Sequence, residues 1–340
     1  YYKYSPFVLF FFFPYCIFPF EIAAIIHFFV LSAVIIYVLI LARDILRNYF
    51  LIQTQSKENL ILSLVFICVL LHFVKELHLG NINVVLLLLL CLSVYSILKK
   101  RDFLGGLLFG VVVLTKPFFL ILLLPLLFRK KWFALTGLAG ALVLGSLVPS
   151  IFFGFQKSID LHTVWIKTMF LHNAFYPGRQ SVQCLIQYYV NPNVPNEFQY
   201  LIIACGALLF FGLFLVNRSF EKANGNPVQL LNAGLTIEWF FLIAVLPNLV
   251  KTDSEHFMST LPLILLIIYY LSEKKNYWLI LVAFILFFLY GGNSTDLLGK
   301  TLSERLFNMG LIGISNMGII ALALWIYLKD TRIRISHAPG

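Results

Sequence analysis

The sequence predicts an all-α, polytopic transmembrane protein, and three observations carry that reading. Of the 340 residues, 61% are hydrophobic and 12% charged, with a mean hydropathy of +0.92, a balance that no water-facing surface of this size could hold. Apolar runs recur along the whole chain without the alternation of barrel strands. The net charge of +10 comes from Lys and Arg gathered in short clusters at the ends of those runs, a pattern of membrane orientation and not of nucleic-acid binding.

In chain order the runs fall at 7–20, 22–41, 59–74, 84–98, 103–115, 117–128, 133–153, 199–216, 230–247, 257–271, 277–290 and 310–328. Several reach the roughly 17 to 25 residues that cross a bilayer, while 7–20, 103–115 and 117–128 fall short and read as half-helices or re-entrant segments. The first of these is either a pass of its own or a piece continuous with 22–41. No repeat of fixed period and no low-complexity linker interrupts them, so 1–340 reads as one membrane domain with a single large insertion at 154–198.

Positive clusters stand at Arg43/Arg47, Lys99/Lys100/Arg101, Arg129/Lys130/Lys131, Arg218/Lys222, Lys274/Lys275 and Lys329/Arg332/Arg334. With these on the cytoplasmic side, the connections 75–83, 154–198, 248–256 and 291–309 and the Lys116 turn fall outside. Segments 103–115 and 117–128 then rise and fall as a short hairpin broken at Lys116-Pro117, because proline lacks a backbone donor and clashes with the preceding turn. The insertion, with "HNAFYPGRQSVQCL" and "NPNVPN", is turn-rich and partly amphipathic, a candidate lid or substrate platform.

Outer-side polar residues supply the candidate chemistry: Glu76, His78, Asn81 and Asn83; Lys116; His162, Lys167, His172, Asn173, Tyr176, Arg179, Gln180 and Ser181; Lys251, Asp253, Glu255 and His256. Each has a plainer role open to it. Lys116 can snorkel to the interface, Arg179 can be a solvated loop cation, His256 can be a polar cap, and Asn81 or Asn83 can be the N-cap of the helix that begins there. His27 and His72 lie inside apolar runs, where hydrogen bonding within the protein is expected. Five cysteines show no ligand spacing. The P-loop, the GxGxxG turn, HExxH, GxSxG and DxD are all missing from the sequence. No metal, cofactor or nucleic-acid partner is therefore expected, and a glycosyltransferase built this way would use a lipid-linked donor.

The order of motifs resembles glycosyltransferase family 87. "GNIN" at 80–83, "KKRDFLGGLLFGVVVLTKPFFLILLLPLLFRKKW" at 99–132, "RQS" at 179–181, "DSEHF" at 253–257 and "YKYSP" at 2–6 carry the likeness. It departs at Asn81, where the family usually has Gln, and at Arg179, where it often has Asn. The resemblance implies a GT-C transmembrane bundle with short or re-entrant helices and one larger external loop. It also implies an inverting transfer of a hexose, mannose above all, from a polyprenyl-phosphate sugar to a lipid or glycan acceptor, among membrane lipids on the extracytoplasmic face of a bacterial plasma membrane. Lys116 is the expected cation for the leaving phosphate, with His256, Asp253, Asn81, Asn83, Arg179, Gln180 and Ser181 as substrate contacts. The general-base carboxylate and a first helix and external loop are expected upstream of Tyr1. A transporter or lipid flippase with a midplane site, or an acceptor-binding scaffold without activity, are the competing readings.

Overall fold

The computed structural model describes residues 4–50, 57–175, 179–225 and 228–336, with the backbone alone at 50, 170–175 and 330–336. Among these the secondary structure is helical throughout. Seven helices are long and apolar enough to cross a membrane: Phe20–Tyr49, Glu58–Leu79, Trp132–Phe153, Phe198–Ala223, Val228–Leu249, Ser254–Glu273 and Leu311–Lys329. Five apolar helical stretches are shorter, namely Pro6–Ile17, Asn83–Leu98, Asp102–Thr115, Pro117–Phe128 and Tyr277–Gly291. Every apolar run of the sequence thus becomes a helical segment, and the chain is an integral membrane protein. Two of the short ones, Asn83–Leu98 and Tyr277–Gly291, match apolar runs that are themselves no longer than the helices. Much of the 154–198 insertion is also helical, at Phe155–Phe175 and Val182–Tyr189.

The chain divides into two compact units, Tyr1–Val38 with Leu79–Pro177, and Leu39–His78 with Gly178–Gly340. In the first, glycines let three helices approach closely. A methyl group at Gly106 would run into the Ala134 backbone, one at Gly137 into the Phe103 carbonyl, and one at Gly110 into Ala141. On the other face of the same helix, a methyl at Gly105 would stand 2.8 Å from the Ser93 carbonyl oxygen, whose own hydroxyl donates to the Gly105 carbonyl at 2.7 Å. Small residues at crossings are how helices pack where no hydrophobic effect drives them together.

The two basic turns that flank this region share one geometry. Arg101 N donates to Ser96 O and Lys131 N to Leu126 O, each at 2.8 Å, with Lys100 at φ 61° and Lys130 at φ 56°. These are Schellman closures with lysine where glycine is the usual residue, a left-handed conformation costing about 1 kcal/mol.

The second unit is centred on Val228–Leu249 and Ser254–Glu273, 89% and 83% buried over their apolar windows, against 22% for Phe198–Ala223. Polar side chains inside it are tied to one another. Asn316 donates to Ala244 O at 2.9 Å and to Asn248 Oδ1 at 2.6 Å and accepts from Thr260 Oγ1 at 2.6 Å, while Asn248 donates to Gly313 O at 2.9 Å. Further along, Asn217 donates to Glu238 Oε1 at 2.9 Å and accepts from Tyr327 at 3.1 Å. His72 lies 3.2 Å from the Tyr290 carbonyl oxygen, the intraprotein bonding expected of it.

Candidate functional site

The Asp102–Thr115 helix stops at Lys116, whose backbone is extended at φ −140°, ψ 98°. Its amide still donates to Val112 O at 2.8 Å. Pro117, with no N–H of its own, then starts a tight turn over Pro117–Leu122 before the short Leu123–Phe128 helix. The residue before a proline is driven out of the helical region by the proline ring, so the sequence alone dictates the break.

The Lys116 side chain is buried, 8% exposed. Its Nζ donates to Asn83 Oδ1 at 2.5 Å and lies 5.5 Å from the Tyr4 ring centroid and 5.9 Å from that of Phe118. The Tyr4 hydroxyl donates to Asn81 Oδ1 at 3.2 Å. Nearby in the same unit, His27 Nδ1 sits 3.3 Å from Tyr15 Oη, and its ring lies toward the backbone of Gly80 and Asn81. Ile82, whose side chain cannot cap, holds the N-cap position of the Asn83–Leu98 helix, and Lys116 is enclosed by protein instead of reaching to the surface.

In the second unit, the Asp253–His256 strip forms a cluster with Lys75. Lys75 Nζ donates to Ser254 Oγ at 2.8 Å and stands 3.7 Å from Glu255 Oε2. Glu255 is 1% exposed, and its Oε1 lies 3.8 Å from His256 Nδ1, which is 3.2 Å from the Asp253 carbonyl oxygen. Close by, Lys251 donates to Asn196 Oδ1 at 2.8 Å. Sequence reasoning named Asp253 and His256 but gave no role to Lys75, because the pairing joins residues 180 positions apart.

The remaining candidates have structural bonds. Gln180 donates to Phe307 O at 2.8 Å and accepts from Gly313 N at 3.1 Å. Ser181 caps Val182–Tyr189, accepting from Cys184 N at 3.4 Å, while Arg179 is exposed. Tyr176 lies outside the described residues, and His172 and Asn173 lie outside the described side chains. Among the described residues no group of three or more His, Cys, Asp or Glu comes together in a way that could hold a metal ion.

A helical membrane protein that keeps a lysine ammonium among two rings and an amide, at a break between two short helices, is equipped to meet an anion near the apolar phase. Its lineage is specific: glycosyltransferase family 87 matches residues 2–247, and the chain belongs to that family. It is also 42% identical over 73 residues to the alpha-(1->3)-arabinofuranosyltransferase of Corynebacterium glutamicum, a stretch that makes up 22% of this chain. The match spans only 16% of that relative's length. No solved structure matches the chain.

Proposed function

We propose that this membrane glycosyltransferase moves a sugar from a polyprenyl-phosphate donor to a lipid or glycan acceptor, with inversion, on the extracytoplasmic face of a bacterial plasma membrane. The single observation that carries this reading is the enclosed Lys116 ammonium. The acceptor hydroxyl loses its proton to a carboxylate and attacks the anomeric carbon. As that bond forms, the bond from the anomeric carbon to the phosphate oxygen breaks, and the lipid phosphate leaves with the electron pair. Lys116 offsets the negative charge gathering on it, the role that fixed donors play at developing anions. Asn81 and Asn83 hold the sugar-phosphate beside it.

The family resemblance implied mannose. The corynebacterial arabinofuranosyltransferase that the chain resembles instead supports an arabinofuranosyl donor, a five-membered ring on the same lipid phosphate. Membranes from cells carrying the full-length protein, given polyprenyl-phosphate arabinofuranose and polyprenyl-phosphate mannose in parallel, test this. Transfer from the first, kept in EDTA and lost with Lys116→Met, is the expected result. Transfer from mannose alone would return the sugar to a hexose, and transfer from neither would end the lipid-phosphate reading.

A further inference from the structure

We infer that Tyr4 is a positioning residue for the Lys116 ammonium, an inference that rests on the lipid-phosphate reading above. A lysine ends in four rotatable bonds, and a point charge is useful to a leaving phosphate only if it stays where the phosphate arrives. At the Lys116 break, neighbouring groups restrict it. Asn83 takes one N–H of the ammonium at 2.5 Å, and the rings of Tyr4 and Phe118 stand 5.5 and 5.9 Å from the nitrogen, within the range where a ring attracts a cation.

The two rings are not equivalent. Phe118 follows Lys116 by two residues and moves with the break itself. Tyr4 comes from a segment 112 residues away, and its hydroxyl is anchored to Asn81 Oδ1 at 3.2 Å. That anchor fixes the ring by its far end while the ring holds the ammonium. One side chain thus couples Asn81, which the sugar-phosphate reading already uses, to the cation that meets the leaving group. Tyr4 is buried only in part, the hydroxyl at one end and the ring at the other being used by different partners, and it touches neither reacting bond.

The test measures binding of a sugar-free polyprenyl monophosphate to the full-length protein in detergent, by native mass spectrometry, for Tyr4→Phe, Tyr4→Leu, Lys116→Met and the Tyr4→Leu/Lys116→Met double variant. Tyr4→Leu removes ring and anchor and should weaken binding roughly tenfold. Tyr4→Phe removes the anchor alone and should weaken it about threefold. Because Tyr4 acts through Lys116, the double variant should bind no more weakly than Lys116→Met. A double variant whose two losses multiply, or a Tyr4→Leu that binds as the natural protein does, overturns the inference and leaves the phosphate reading standing. Unchanged binding by Lys116→Met overturns both. If Tyr4→Leu does not fold, Tyr4→Phe decides alone: about threefold weaker binding supports the anchor, and natural binding removes it.

Discussion

Two buried polar clusters, one in each unit, handle the same problem differently. Around Asn316 the groups are neutral and mutually saturating: both amide hydrogens of Asn316 are donated and its oxygen accepts from Thr260, with Asn248 extending the chain to Gly313. Around Lys116 the central group is an ion, and its surroundings include ring faces as well as an amide oxygen. The first arrangement is what a buried network needs in order to stabilise three helices and nothing more. The second keeps a charge at a break in the backbone, where a helix could have continued at lower cost. Buried polarity is thus informative according to whether its members satisfy each other or hold a charge in place.

Substitutions at the two centres should separate these roles. Lys116→Met is expected to leave expression and thermal unfolding in detergent near the natural values while lowering transfer at least a hundredfold, the scale seen when a donor to a developing anion is removed. Loss of folded protein in step with activity would put Lys116 in the same class as Asn316. Asn316→Leu should do the reverse. It strands Thr260, Asn248 and the Ala244 carbonyl, costing about 2 to 3 kcal/mol, read as a lower unfolding temperature with activity per folded molecule kept.

The Lys75 cluster tests an intermediate case. Its side chain is more than a third exposed while that of Glu255 is buried, so Lys75→Met should cost about 1 to 2 kcal/mol of stability, and Lys75→Arg should restore most of it. Transfer rate per folded molecule, measured beside unfolding, shows whether the pair also serves the reaction. The smallest effect is expected from Ser181→Ala, which removes the cap of an eight-residue helix and should cost about 1 kcal/mol. A large loss of transfer at unchanged stability would instead return Ser181 to the substrate.

Much of this was legible from local chemistry. Apolar runs gave the helices, and the Lys116 break followed from Pro117, whose effect is confined to the turn just before it. "RQS" was legible as a candidate but not as a cap and a strut, because the partners of Gln180 are Phe307 and Gly313. The same distance hid Tyr4 from Lys116 and Lys75 from Glu255. Hydropathy reports how a residue partitions, and says nothing of which distant residue it will meet. The Phe155–Phe175 helix escaped notice for another reason: its polar and apolar residues are mixed around the axis, so no strong stripe marks it.

The break at Lys116 also bears on how the chain enters a membrane. The Asp102–Thr115 arm has 14 residues, about 21 Å of helix, against roughly 30 Å of hydrocarbon. Released singly from an insertion machine, such an arm would leave its ends unsolvated and carry a lysine at its tip. The glycine contacts to Ser93, Ala134 and Ala141 supply longer neighbours on both sides. Insertion of this stretch should therefore be postponed until Trp132–Phe153 has emerged, the three helices leaving together as one unit that keeps its ammonium covered.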